Sequence, residues 1–172
     1  LVVLIVITSL GSYLYLRSLK PDLDANVSLP GLSSEVEVIY DNYGIPHIYA
    51  KNEKDLFYAF GYVHAQDRLF QMEILRRLAD GRLSELFGEP ALESDRFFRL
   101  LSFREHAKRT IAETYKDPNA PFVIAAKAYL KGINEYIEHG KTPVEFTIAS
   151  IPKTPFTLED IEIIAGYMGY TF

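Results

Sequence analysis

One stretch, residues 54–88, limits what this chain can fold into more than any other part of it. It reads KDLFYAFGYVHAQDRLFQMEILRRLADGRLSELFG. Leu56, Phe60, Val63, Phe70, Ile74 and Leu78 recur mostly at steps of three and four, which lines them up on one stripe of an α-helix. Asn52 is suited to cap its start, with Asp55 three residues on as an imperfect capping box. Gly81 is suited to end it, because glycine enters the left-handed conformation without the steric penalty other residues meet. A second, short helix over residues 83–87 then stops at Gly88, ahead of Pro90. His64, Gln66, Asp67, Arg68 and Gln71 fall in the middle of this apolar helix. Polar side chains there are expected to form a buried or half-buried network that fixes how neighbours dock, with Asp67 and Arg68 as a buried charge pair.

Ahead of the helix, Val36, Val38 and Tyr40 alternate with Glu37 and Ile39, and Asp41-Asn42-Tyr43-Gly44 supplies turn chemistry. Residues 45–50 resume an extended pattern, so the segment reads as a β-hairpin. Pro46 has no amide hydrogen and belongs at a strand start or edge. His47 beside it reads as packing, not as a ligand or base. Residues 20–34, with scattered Pro, Gly and Ser and no period, read as a linker. Residues 1–16, LVVLIVITSLGSYLYL, are uncharged but shorter than the roughly 20 apolar residues a membrane span needs. Tyr13, Tyr15, Arg17 and Lys20 resemble an interfacial flank. Residues 1–19 are therefore expected to be the remainder of a signal peptide or membrane anchor, contacting the membrane through residues 1–16.

Beyond the helix, residues 92–115 read as one surface helix. Phe97, Phe98, Leu100, Leu101 and Phe103 supply its buried face, and interspersed Arg, Lys, Glu and Asp a salt-bridged one. Residues 117–121 break the chain, and residues 122–138 form the next helix on Ile124, Ala128, Leu130, Ile133, Tyr136 and Ile137, capped by Gly140. Thr157 with Asp160 resembles a capping box that opens a last helix ending TF. The fold class is α+β, predominantly helical with an N-terminal hairpin, and the domain runs from 35 to 172. Both ends read as cut, since the chain begins with Leu and stops inside an apolar run.

Composition narrows the function. With 172 residues and 48% hydrophobic content the chain can bury one core. A net charge of −5 with no basic cluster argues against nucleic acid as a partner. The absence of cysteine excludes disulfides, thiolate metal sites and a cysteine nucleophile within these residues. His47 with His64, and His106 with His139, lack the spacing and carboxylate partners of a metal site, so none is assigned.

The string GYVHAQDRLFQMEILRR, following DNYGIPHIYA, closely resembles the start of the penicillin acylase family, and the match runs from about residue 36 to 172. AYLKGINEYI is similar to that family's second recognisable helix, and TPVEF to the turn that follows it. Members usually carry Trp where Phe156 stands. The resemblance implies the α-side segment of an N-terminal nucleophile hydrolase, made as a precursor and cut into α and β chains. It implies an αββα sandwich completed by the β chain, which is the segment's partner. The implied reaction is hydrolysis of an N-acyl amide, with penicillins, acyl-homoserine lactones and acyl amino acids as candidate substrates. The nucleophile would be the hydroxyl of a serine at the β-chain N-terminus, with its own α-amine as base. No catalytic residue is then expected within this segment, and the segment alone is expected to be inert.

What the resemblance gives this segment is scaffold and one wall of the acyl pocket. The pattern ending in Phe172 puts Met168 and Phe172, four residues apart, against the acyl group. Thr171 falls where penicillin G-type enzymes carry an arginine near the leaving group. Members often hold a calcium ion, whose ligands would lie beyond Phe172 or in the β chain. An exported protein, periplasmic or on the cell surface, is implied. The alternative is a non-catalytic relative that keeps the fold as a binding or scaffold module. A third reading, an autonomous helical domain, would leave the apolar face of its last helix bare.

Overall fold

The computed structural model describes residues 1–172, the side chain of Val2 excepted. Helix α1 (Val2–Leu19) is followed by a two-stranded antiparallel hairpin, β1 (Glu37–Tyr40) and β2 (Pro46–Tyr49), and then by helices α2 to α8. These are α2 (Glu53–Ala79), α3 (Ser84–Phe87), α4 (Leu92–Leu101), α5 (Phe103–Thr114), α6 (Pro121–His139), α7 (Val144–Ile148) and α8 (Leu158–Thr171). The chain is thus mostly helical with one hairpin, as its patterning implies.

The hairpin closes where the turn residues place it. Asp41 Oδ1 accepts the amides of Tyr43 and Ile45 at 2.8 and 2.9 Å. Pro46 opens β2 opposite Tyr40, where its missing amide hydrogen costs the ladder least. Tyr40 then ties the hairpin to α2: its hydroxyl accepts from Gln66 Nε2 at 3.2 Å and donates to Asp67 at 3.4 Å.

Helix α2 begins at Asn52, whose side chain accepts the Asp55 amide at 2.9 Å. The other half of the capping box is absent, because the Asp55 carboxylate is turned elsewhere. It accepts the amides of Ser33 and Ser34 at 2.9 and 3.0 Å and the Ser33 hydroxyl at 2.7 Å. Those bonds, the Ser33 amide first, lower its pKa to about 2 and fasten the end of residues 20–34 to the helix. At the other end Gly81 sits at φ +65°. The Arg82 amide reaches Arg77 O at 2.8 Å and the Gly81 amide reaches Leu78 O at 3.0 Å, which is a Schellman motif.

Three expectations are corrected here. The apolar stripe is not the packing face: of its residues only Val63 is buried, while Phe60 is exposed. The face that packs instead carries Tyr58, Gly61, Ala65, Leu69, Met72, Arg76 and Ala79. It includes small residues because α2 and α6 cross in backbone contact. A Cβ on Gly61 would lie 2.0 Å from Tyr129 O, and one on Gly132 would lie 1.9 Å from Tyr58 O. Second, Asp67 and Arg68 are both exposed and form no ion pair with each other; Arg68 marks a kink in α2 (φ −137°, ψ 16°). Third, the single helix expected over residues 92–115 is two, separated by Ser102 in the left-handed region (φ 55°, ψ 37°).

Two cores result. The larger joins α2 and α6 with Phe146 of α7 and Phe156. The smaller gathers Ala79, Ala107 and Ile163, flanked by Phe103 and Tyr167, where the end of α2 meets α5 and α8. Helix α1 stands apart, its described side chains exposed except Leu19, with Lys141 Nζ donating to Ser18 O and Lys20 O at 2.8 and 2.6 Å. Among the described residues no helix is long and apolar enough to cross a membrane.

Candidate functional site

The residues singled out at the chain's end, Met168, Thr171 and Phe172, lie on the last turn of α8 or just past it. What holds that turn is built at the helix's other end. Thr157 Oγ1 accepts the Asp160 amide at 3.2 Å, and Asp160 Oδ2 accepts the Thr157 amide at 2.8 Å, completing the expected capping box. The first turn is then gripped by charge. Asp160 pairs with Arg76 at 3.6 Å, Glu159 with Arg104 at 3.1 Å, and Glu162 accepts the Tyr115 hydroxyl at 2.6 Å.

Arg76 is the centre of this grip. It is buried and bonded to Glu73, to Thr154 Oγ1 at 2.6 Å and to Pro155 O at 3.1 Å. Its guanidinium lies 4.1 Å from the centroid of the Phe156 ring. Phe156 is itself held by Asn134, which exchanges hydrogen bonds with its amide and carbonyl at 2.8 and 2.9 Å. From Arg76 the charges continue without a gap. Glu73 pairs with Arg77, Arg77 with Glu85, Glu85 with Arg82, Arg82 with Asp80, and Asp80 with Arg104, which returns to Glu159. The chain of ion pairs leaves α8 at Asp160 and comes back to it at Glu159.

The middle of α8 lies against α5 through Ile163 and Gly166, whose hydrogen faces the Phe103 ring. Phe97, Phe98 and Phe103 meet Tyr167 and Tyr170 in a run of edge-on and tilted aromatic contacts. That leaves the opposite face bare: Ala165, Met168, Gly169 and Phe172 are all exposed, and recur at the spacing of one helical stripe. Thr171 is also exposed, but its hydroxyl donates to Met168 O at 2.9 Å and so turns back onto its own helix. No titratable group lies on the stripe, so this surface can recognise apolar matter but cannot move a proton.

The histidines stand away from it. His64 Nδ1 lies 2.6 Å from the Tyr129 hydroxyl and its ring stacks on Phe60. Burial raises Tyr129 to about 12 and lowers His64, so the phenol donates and the imidazole stays neutral. His47 lies 3.4 Å from Asp41, beside the hairpin turn. Among the described residues no group of three or more His, Asp or Glu side chains is arranged to hold a metal ion.

Comparison with known proteins identifies the family. The family model described as penicillin amidase matches residues 35–172, from the hairpin to the end of α8. The chain belongs to the penicillin amidase family. Penicillin acylase 2 proenzyme of Pseudomonas sp. (strain SE83) is 38% identical over 142 residues, covering 82% of this chain. Penicillin G acylase of Escherichia coli is 38% identical over 156 residues, 84% of this chain. Acyl-homoserine lactone acylase QuiP of Pseudomonas aeruginosa is 37% identical over 158 residues, 91% of this chain. The chain spans 18% of the length of each of these curated relatives. Among solved structures, the thermostable penicillin G acylase from Alcaligenes faecalis matches with a TM-score of 0.68 and 31% identity, over 80% of this chain and 74% of that one.

Sequence reading missed the buried trio Glu73, Arg76 and Arg77, although Glu73 followed by arginines at the third and fourth positions was the available signal. It also missed that Phe97 and Tyr170 meet beside the last turn of α8. Of the five mid-helix polar residues, His64, Gln66 and Asp67 do dock neighbours, whereas Arg68 and Gln71 are exposed.

Proposed function

We propose that this chain is the α-side segment of an N-acyl amide hydrolase whose nucleophilic serine lies in a β chain outside it. The segment supplies scaffold and, through Met168 and Phe172, an apolar wall for the acyl group. The observation that carries this reading is the bare apolar stripe on α8, presented by a helix whose opposite end and opposite face are both fixed. A wall must be apolar and open to the ligand, and the stripe is both, on a helix anchored at its other end. The proenzyme relative, and the comparable length of the matched Alcaligenes chain, support a precursor cut into two. An αββα sandwich would then form on the hairpin and α2, and any calcium ion would be bound outside this segment.

Thr171 gives the leaving-group side a short neutral residue, so carboxylate-bearing amines such as the penicillin nucleus gain no ion pair there. Acyl-homoserine lactones and simple acyl amides suit such a site better. Residues 1–16 would hold the protein at a membrane after export, as the apolar residues exposed around α1 favour.

The test uses the complete protein and measures kcat/KM for amides of one amine with short, aromatic and long acyl groups. Phe172→Ala should cost roughly ten- to two-hundred-fold on the larger acyl groups and almost nothing on acetyl. A uniform fall across all acyl groups would place these residues in the packing and not in the pocket. Absence of hydrolysis by the intact protein on every amide would favour the non-catalytic relative.

A further inference from the structure

We propose that Arg76, Arg104 and Tyr115 are positioning residues that fix the roll of α8 and so decide which way Met168 and Phe172 point. The inference rests on the acyl-wall reading and deepens it. Each residue of an α-helix turns it by about 100°, and a helix is stiff in torsion, so a rotation at its first turn reappears undiminished at its last. A slip of one residue would swing Met168 by about 100°, off the bare stripe and towards α5.

The apolar contacts of α8 do not by themselves prevent that slip. Ile163 is fully buried, but apolar burial is non-directional and tolerates rotation. Charged and charge-assisted contacts do have direction. Three of them grip the first turn from two sides: Asp160 faces Arg76 of α2, while Glu159 and Glu162 face Arg104 and Tyr115 from α5. Neither arginine is free to follow a rotating helix. Arg76 is pinned by Glu73, Thr154 and Pro155 and lies over Phe156, and Arg104 is held by Asp80 through both Nε and Nη2, at 2.7 and 2.6 Å. The grip therefore refers the roll of α8 to two other helices at once. Beyond Gly166 the turn carrying Met168 is steadied by aromatic contacts, Phe98 on Tyr167 and Phe97 and Phe103 on Tyr170, which are less directional than the ion pairs at the helix start.

The experiment compares kcat/KM for an aromatic and a short acyl amide of the same amine in the complete enzyme. The variants are Arg76→Lys and the milder pair Glu159→Gln with Tyr115→Phe, which keeps shape while removing the Glu159 charge and the Tyr115 hydroxyl donor. The expected result is a change of about tenfold in the aromatic-to-short ratio. Should Arg76→Lys fail to fold, the milder pair decides. Phe172→Ala is measured alongside. If it shifts the ratio and the milder pair does not, the positioning proposal is overturned while the acyl wall stands. If Phe172→Ala leaves the ratio unchanged, the acyl wall fails and the positioning proposal falls with it.

Discussion

Single atoms decide more here than residue classes do. A methyl group at Gly132 would stand 1.9 Å from the Tyr58 carbonyl oxygen, which no rotamer change can relieve. Gly132→Ala is expected to destabilise the complete protein by about 3 kcal/mol or more, read by denaturant unfolding. Glu73 makes the opposite case, in which removal does the harm. Glu73→Ala would leave Arg76 and Arg77 buried without their shared carboxylate, and a loss of about 3–5 kcal/mol is expected. Arg68→Ala, at an exposed position, should stay within about 0.5 kcal/mol. Asp55 gives a pH dependence. Its pKa is lowered from 3.8 to about 2, so its hold on Ser33 and Ser34 is complete above pH 4 and is lost as pH falls towards 2. Protection of the Ser33 and Ser34 amides, relative to their intrinsic exchange rates, should fall across that window, and in Asp55→Asn it should be low at every pH.

At the scale of elements, chain ends were legible in the sequence and faces were not. Asn52, Gly81, Thr157 and Pro121 act locally, through bonds within a few residues, and each element starts or stops where they stand. Faces depend on what lies opposite. Phe60 and Ile74 look like core, but the crossing with α6 is so close that Gly61 and Ala65 take that place. The break between α4 and α5 carried no signal, because serine is an uncommon residue in the left-handed region. Ser102→Gly should relieve that conformation and raise stability by about 1 kcal/mol, whereas Ser102→Val should lower it; thermal unfolding distinguishes them. The acyl wall was legible only through family resemblance. Spacing alone describes Met168 and Phe172 as well as it describes any helical pair.

For the whole molecule, the pattern of bare apolar surface matters most. Phe60 of α2, Phe97 and Leu100 of α4, Ile148 of α7 and Met168 of α8 are all exposed, more than a lone domain of this size ordinarily presents. Residues 35–172 produced alone should therefore bind a dye specific for loose apolar surface and melt without a sharp transition. A cooperative melt of the monomer would contradict that.

The crossing of Gly61 with Gly132 also bears on how the chain reaches its fold. Bringing those backbones together closes a loop of about 70 residues, and α5 inside that loop finds its main partner in α8, which comes later still. The first core cannot close early around finished contents, and the second cannot form until residues 158–171 exist. During synthesis the emerging chain should thus remain open to proteases well past residue 140, with α5 in particular cleavable until α8 has cleared the ribosome.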